Sequence, residues 1–262
     1  MTLPVFLGSD LTPALESLSV GDSATLGGAE GRHAASVRRI GAGEWVDVVD
    51  GAGVRATCEV SGSDKASLSL IVRELVREDA PNPEVILVQA LAKGGRDEAA
   101  VEICTEIGID RVIPWASQRA IVQWKGPKAE KGRAKWEGVA RAAAKQSRRA
   151  YVPVVEDVKD SRELASWVSS LTHEGGVAFV CHEEAMDSLG AALARVQEAS
   201  VDGSLPARIA LIVGPEGGIG TEEASQLVDV GARMIGLGDN VLRSSTAGAV
   251  ALTLIRAAVG KY

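Results

Sequence analysis

Two rhythms of apolar and polar positions divide this chain. Up to about residue 76 the apolar residues alternate over short runs. "GEWVDVVD" (43–50) and "VRATCEV" (54–60) flank "DGAG", and "KASLSLIVRELV" (65–76) adds a further run. Such alternation predicts half-buried strands, and the glycine-bearing connection predicts a hairpin. One short helix is expected within "EGRHAASVRRI" (30–40). Several short strands with a single helix suggest a small barrel-like module. "REDAPNP" (77–83), charged and carrying two prolines, reads as a linker. The expected domains are therefore 1–76 and 77–262.

Beyond the linker, continuous apolar runs alternate with helical periodicity. Buried strands are expected at 84–92, 111–117, 153–158, 177–183, 208–214 and 233–238. Helices are expected at 97–107, 128–149, 162–171, 185–198, 221–230 and 245–259. In the long helix, Trp136, Val139, Ala140 and Ala143 mark the apolar face. Strands alternating with helices predict an α/β domain with a mostly parallel sheet covered on both faces.

Composition fits this picture: 46% of the 262 residues are apolar and 24% charged. No apolar run approaches the roughly 18–20 residues that span a bilayer, and "MTLPVFLGSD" lacks the pattern of a secretory signal. The expected location is the cytoplasm. Cys58, Cys104 and Cys181 are widely spaced and form no CxxC, so neither a disulfide framework nor a metal site is expected. The formal charge of −7 argues against nucleic acid until its distribution is considered. The window from Arg119 to Arg149 carries +8 and the remainder −15. An acidic body with one basic stripe can present a local anion-binding surface.

The candidate chemistry centres on "LIVGPEGGIGTEE" (211–223), where a strand meets a glycine-rich turn and then a helix. The chain has no GxxxxGK[ST], and the spacing here is not GxGxxG, so a phosphate loop is excluded. Thr221 is the expected N-cap, and Glu222 and Glu223 would neutralise the helix terminus themselves. Such a turn suits a ligand that needs close backbone approach and carries positive charge. A second strand–helix turn, "LGDNVLRSSTAGAVAL" (237–252), offers Ser244 and Ser245 as caps, and a third, "VCHEEAM", spans 180–186. Ligands of open α/β sheets sit beyond the carboxyl ends of the strands, where these turns fall.

"GPEGGIG" followed by "LGDNVLRSSTA" resembles the paired signature segments of SPOUT-class RNA methyltransferases. More specifically it is similar to the bacterial family of ribosomal RNA small subunit methyltransferase E. "GRHAASVRRIGAGEWVDVVDG" (31–51), "KGGRDEAAVEICTEIGID" (93–110) and "KWEGVARAAAKQSRRAYVP" (135–153) extend the likeness through the chain. Here Asn240 and Val241 stand where the family more often has Arg and Ile, and Ser245 where it has Glu.

The resemblance implies an N-terminal PUA-like β-barrel and a C-terminal SPOUT domain threaded as a deep trefoil knot, an exception to un-knotted topology. It implies S-adenosylmethionine as methyl donor, no metal, a homodimer, and methylation of uridine N3 in 16S rRNA within the 30S subunit. Another RNA position, a ribose 2′-O or guanine N1, is the alternative. Gly214, Pro215, Glu216, Gly217 and Gly218, with Leu237, Gly238, Val241 and Leu242, are the donor-binding residues carried over. Arg243 is the candidate cation for charge developing on uracil, and Glu183 a candidate base, with Glu216 a further one. For RNA the candidates are Arg38 and Arg39, together with Arg141, Lys145, Gln146, Arg148 and Arg149. Arg141, Lys145 and Arg148 fall at i, i+4 and i+7, which on one helix would share a face.

Overall fold

The computed structural model describes residues 3–261. The chain divides into two compact units, one of residues 1–80 with 144–152, the other of residues 81–143 with 153–262.

The first unit is a six-stranded sheet curled around its own core. Its strands are β1 (Val5–Leu7), β2 (Leu11–Thr12), β3 (Ser23–Leu26), β4 (Trp45–Val49), β5 (Val54–Ser63) and β6 (Leu68–Arg77), in the order β1-β4-β5-β6-β3-β2. Only β1 and β4 pair in parallel. The alternating pattern of β5 puts Val54, Ala56, Cys58 and Val60 inside, beside Phe6, Leu26, Val46, Val48 and Leu70. Register shifts at Thr57/Cys58 and Val60/Gly62 bend the long β5–β6 ribbon, as bulges do. The short helix α1 (Gly28–Arg32) widens into a π turn over His33–Val37.

Residues 144–152 belong to this unit although the sequence pattern assigns them to the other. Tyr151 bridges Gly51 and Ala52. The Ala150 carbonyl accepts from Gly53 N–H (3.2 Å), and the Tyr151 hydroxyl donates to Glu78 O (3.0 Å). Ala150 and Val152 pack with Val5, Leu7 and Val49. The N-terminal portion of the division falls at 80/81, four residues past the end expected from the sequence.

The second unit is a parallel sheet covered on both faces. Its strands are β7 (Glu84–Ala90), β8 (Arg111–Ala116), β9 (Val154–Val155), β10 (Lys159–Asp160), β11 (Val177–Cys181), β12 (Arg208–Val213) and β13 (Arg233–Ile235). The order is β10-β8-β7-β12-β11-β13, with β9 also on β8, and every pairing is parallel. The helices are α2 (Arg96–Ile107), α3 (Pro127–Gln146), α4 (Ser161–His173), α5 (Leu189–Ala199), α6 (Thr221–Asp229) and α7 (Ser244–Ala258). One apolar layer joins Leu87, Leu211 and Phe179 to residues of α2, α3, α5 and α7; the other joins Ile86, Ile212 and Val180 to α4 and α6. Burial on both sides explains why these strands read as unbroken apolar runs.

Local expectations shift at several ends. The 153–158 run forms only the two-residue β9, with β10 following it, and β13 stops at Ile235 instead of 238. The helix expected from 185 starts at Leu189, because the Ser188 hydroxyl accepts from Ala191 N–H (3.2 Å) and caps it there. All three cysteines are unbonded, and burial pushes Cys104 and Cys181 up to about 12. Among the described residues no helix is long and apolar enough to cross a membrane.

Candidate functional site

Because every strand of the second unit points the same way, the connections after β7, β8, β11, β12 and β13 all leave one edge of the sheet. The glycine turn after β12 is folded back on itself. Gly218 N–H donates to Pro215 O (2.9 Å), and Gly218 has φ +70°, a region costly for residues with a side chain. At Gly214 a Cβ would lie 2.6 Å from Ile219 Cγ1, so only glycine admits the return of the turn. Pro215, Ile219 and Gly220 are buried, while Glu216, Gly217 and Gly218 face solvent.

Two neighbouring loops brace this turn. Glu216 Oε1 accepts from Lys93 N–H and from Arg96 Nη1, each at 3.0 Å, tying the turn to the loop after β7. Burial pushes the Glu216 carboxyl up, but hydrogen bonds from its own backbone, Lys93 N–H and Arg96 outweigh this and hold it below its usual value. Stability from a depressed carboxyl is complete above the ordinary value of 4.5 and is lost as pH falls through the lower folded value. The difference in melting temperature between the parent and Glu216→Gln should therefore close in acid; a gap independent of pH would exclude the charge as its cause.

On the other side, Glu223 is 1% exposed. Its Oε1 accepts from Gln118 N–H (2.8 Å) and from the Ser161 hydroxyl, and its Oε2 from Gly220 N–H (3.4 Å). Ser161 in turn accepts from Trp115 Nε1 (3.2 Å). Arg119, next to Gln118, donates from Nη1 to Gly217 O (3.2 Å). In the sequence Arg119 is one cation of the basic window, and nothing in its spacing from Gly217 announces the contact.

The capping expectations reverse. Gly220, in extended backbone, precedes α6, and Glu223 reaches back to its N–H; Thr221 is the first helical residue. Arg243 likewise precedes α7, and its carbonyl accepts from Thr246 and Ala247 N–H (2.9 and 3.0 Å). Ser244 and Ser245 lie inside that helix, and the buried Ser244 hydroxyl has no hydrogen-bond partner.

The turns after β11 and β13 are laced together. His182 N–H donates to Ile235 O (3.0 Å), Gly236 N–H to Asp187 O (2.7 Å), and Leu189 N–H to Gly236 O (3.1 Å). Leu237 and Leu242 are partly buried against the core, Gly238 has φ +113° with open space where a Cβ would stand, and Val241 is 75% exposed. The Arg243 side chain is exposed and has no partner among the described residues. Glu183 is equally exposed and makes no side-chain hydrogen bond among them.

At this edge the buried Gln89 Oε1, near the end of β7, and Ser117 Oγ, just past β8, also lack partners. Glycines open to close approach, unpaired buried polar atoms and apolar walls together fit a neutral or cationic ligand read largely by backbone. The acidic start of α6 does not fit a phosphate. Among the described residues no group of three or more His, Cys, Asp or Glu is placed to hold a metal ion.

The RNA candidates separate between the units. Arg38 and Arg39 are exposed beyond the π turn. Arg141, exposed on α3, precedes the segment that joins the first unit. Lys145 pairs with Glu30 (2.6 Å), with both side chains mostly covered, so it is a structural tie of the first unit. Gln146 ends α3 and is exposed. Arg148 lies past the helix with φ +61°, and its carbonyl accepts from Arg55 Nη2 (3.0 Å). The expected helical face of Arg141, Lys145 and Arg148 is therefore broken after Gln146. Arg149 is half-buried and partnered.

Comparison with known proteins places the chain. A family model described as an RNA methyltransferase domain matches residues 79–256, and one described as an RNA methyltransferase PUA domain matches 26–73. Ribosomal RNA small subunit methyltransferase E of Mycobacterium bovis is 41% identical over 88% of this chain and 85% of its own length. The Bacillus subtilis protein of the same name is 31% identical over 87% of each. The Neisseria gonorrhoeae protein of that name, solved bound to S-adenosyl methionine, superposes with a TM-score of 0.80 over 98% of both chains at 24% identity, and so shares the fold. With its PUA-like first unit and parallel-sheet second unit, the chain belongs to the ribosomal RNA small subunit methyltransferase E family of RNA methyltransferases.

Proposed function

We propose that this protein transfers a methyl group from S-adenosylmethionine to N3 of a uridine in 16S rRNA of the small ribosomal subunit. The observation that carries the reading is the convergence, on one carboxyl edge of a parallel sheet, of a glycine turn closed to phosphate and a second turn open at Gly238. Gly214, Pro215, Gly217 and Gly218 would hold the donor through backbone, with Leu237, Gly238, Val241 and Leu242 from the other turn. Glu216 would serve them as a brace, since its carboxylate is engaged by Lys93 and Arg96.

When bound, the donor supplies an electrophilic methyl on a sulfonium. The protein's part is to hold uracil N3 in line with it, and positioning of this kind supplies much of the rate. Arg243 would stabilise the charge that develops on a uracil carbonyl as N3–H ionises. Glu183, open to solvent, would serve as proton acceptor. Arg38, Arg39 and Arg141 supply exposed cations for phosphate contacts, which orient RNA without reading its sequence. With aromatics at 3% of the chain, a folded ribosomal surface read by shape suits it better than a long single strand. The trefoil knot, the homodimer, a requirement for assembled 30S subunits and a cytoplasmic location belong to the same reading.

The test incubates 30S subunits from a strain lacking the endogenous enzyme with the protein and methyl-labelled S-adenosylmethionine, then identifies the labelled nucleoside by mass spectrometry. Label in N3-methyluridine is the expected result. Label in a 2′-O-methylated nucleoside or N1-methylguanosine would overturn the base assignment.

A further inference from the structure

We propose that Arg119 is a second substrate-facing cation of this reaction, supplied by the loop after β8 and held in place by the buried carboxylate of Glu223. The inference rests on the uridine-N3 reading above and extends it to a residue the signature segments do not contain.

Arg119 stands against the glycine turn. Its Nη1 donates to Gly217 O at 3.2 Å, its Cβ lies 3.5 Å from where a Gly217 Cβ would be, and its Nε 3.8 Å from the same point on Gly220. Gly217 O is the one acceptor given to its guanidinium among the described residues, and the side chain is exposed. Of five donors, four remain for a ligand. The loop that delivers it is fixed: Gln118 N–H is bonded to Glu223, a carboxylate that also takes Ser161 and Gly220. An exposed cation on a mobile loop has many geometries, whereas one whose neighbouring backbone is bonded to a buried carboxylate has few.

The chemistry calls for such a group. As methyl transfer proceeds, the N3–H proton passes to the Glu183 carboxylate, and the N3 lone pair forms the bond to the methyl carbon. The electron pair of the broken C–S bond stays on sulfur. Ionisation at N3 spreads negative charge over both flanking carbonyl oxygens, O2 and O4. Arg243, at the start of α7, offers a cation for one of them; Arg119 reaches the glycine turn from β8 and serves the other.

The experiment compares the full-length parent, Arg119→Ala and Arg119→Lys on 30S subunits containing uridine or 5-fluorouridine, whose N3–H is more acidic. The expected result for Arg119→Ala is S-adenosylmethionine affinity within twofold of the parent, kcat lower by roughly 100-fold, and a rate that climbs more steeply with pH. Fluorouridine substrate should recover much of the loss in Arg119→Ala while changing the parent little, and Arg119→Lys should fall between. Loss of donor affinity together with kcat would make Arg119 a brace of the turn and overturn the proposal. So would an unchanged kcat, or a loss that fluorouridine leaves untouched. If the parent itself makes no N3-methyluridine, the underlying reading fails instead.

Discussion

Arg243→Ala is expected to bind S-adenosylmethionine as the parent does while turning over roughly 100-fold more slowly, the scale for removing one donor from a developing oxyanion. The residue starts α7 through its carbonyl, which accepts from Thr246 and Ala247 N–H, and alanine keeps that carbonyl. Its side chain makes no hydrogen bond or ion pair among the described residues, so truncation removes a charge without uncovering a partner. The helix behind it is secured by Ala247, Gly248, Ala251, Leu252 and Ile255, all buried. Calorimetric titration of the donor beside single-turnover rates separates the two quantities. A fall in affinity or in melting temperature would make Arg243 an anchor of the turn.

Glu223→Ala carries the second large expectation, this time on the fold of the site. The substitution strips acceptors from Gln118 N–H, Gly220 N–H and the Ser161 hydroxyl around a carboxylate that is itself buried. Stranding buried donors costs about 1–3 kcal/mol each, partly relieved by relaxation, so a net loss of about 3 kcal/mol is expected. Because the same carboxylate fixes both the glycine turn and the Arg119 loop, donor affinity should fall at least about tenfold with it. Glu222→Ala, at an exposed neighbour, should leave both unchanged. Thermal unfolding and donor titration of the two variants decide the matter. Equal behaviour would mean that the buried bonds contribute nothing to the turn.

That contrast also shows where sequence reading stops. Adjacent glutamates opening a helix are equivalent to any argument from capping or helix dipole; only the approach of Gln118 and Ser161, over a hundred and some sixty residues away in the chain, makes one of them structural. Much of the architecture was legible because burial on both faces or on one leaves different periodicities, as β7 and β5 show. The glycine turns were legible because strand–helix junctions of that composition are few. The caps of α6 and α7 were misread because serine and threonine are favoured caps, whereas here backbone carbonyls and a returning glutamate do the work. Arg119 and Lys145 look alike in a count of charges. In space one stands over the glycine turn and the other is spent on Glu30.

The strap at 144–152 has a consequence for the order in which the chain can be made. Residues 1–80 emerge first, but the sheet they form still lacks Ala150 against Val5 and Leu7, the partner of Gly53 N–H, and the hydroxyl that meets Glu78 O. Residues 81–143 of the second unit must be translated before those positions are filled. The first unit is thus N-terminal in sequence yet finished late in synthesis, and a fragment cut at residue 80 would carry a permanent version of that unfinished state.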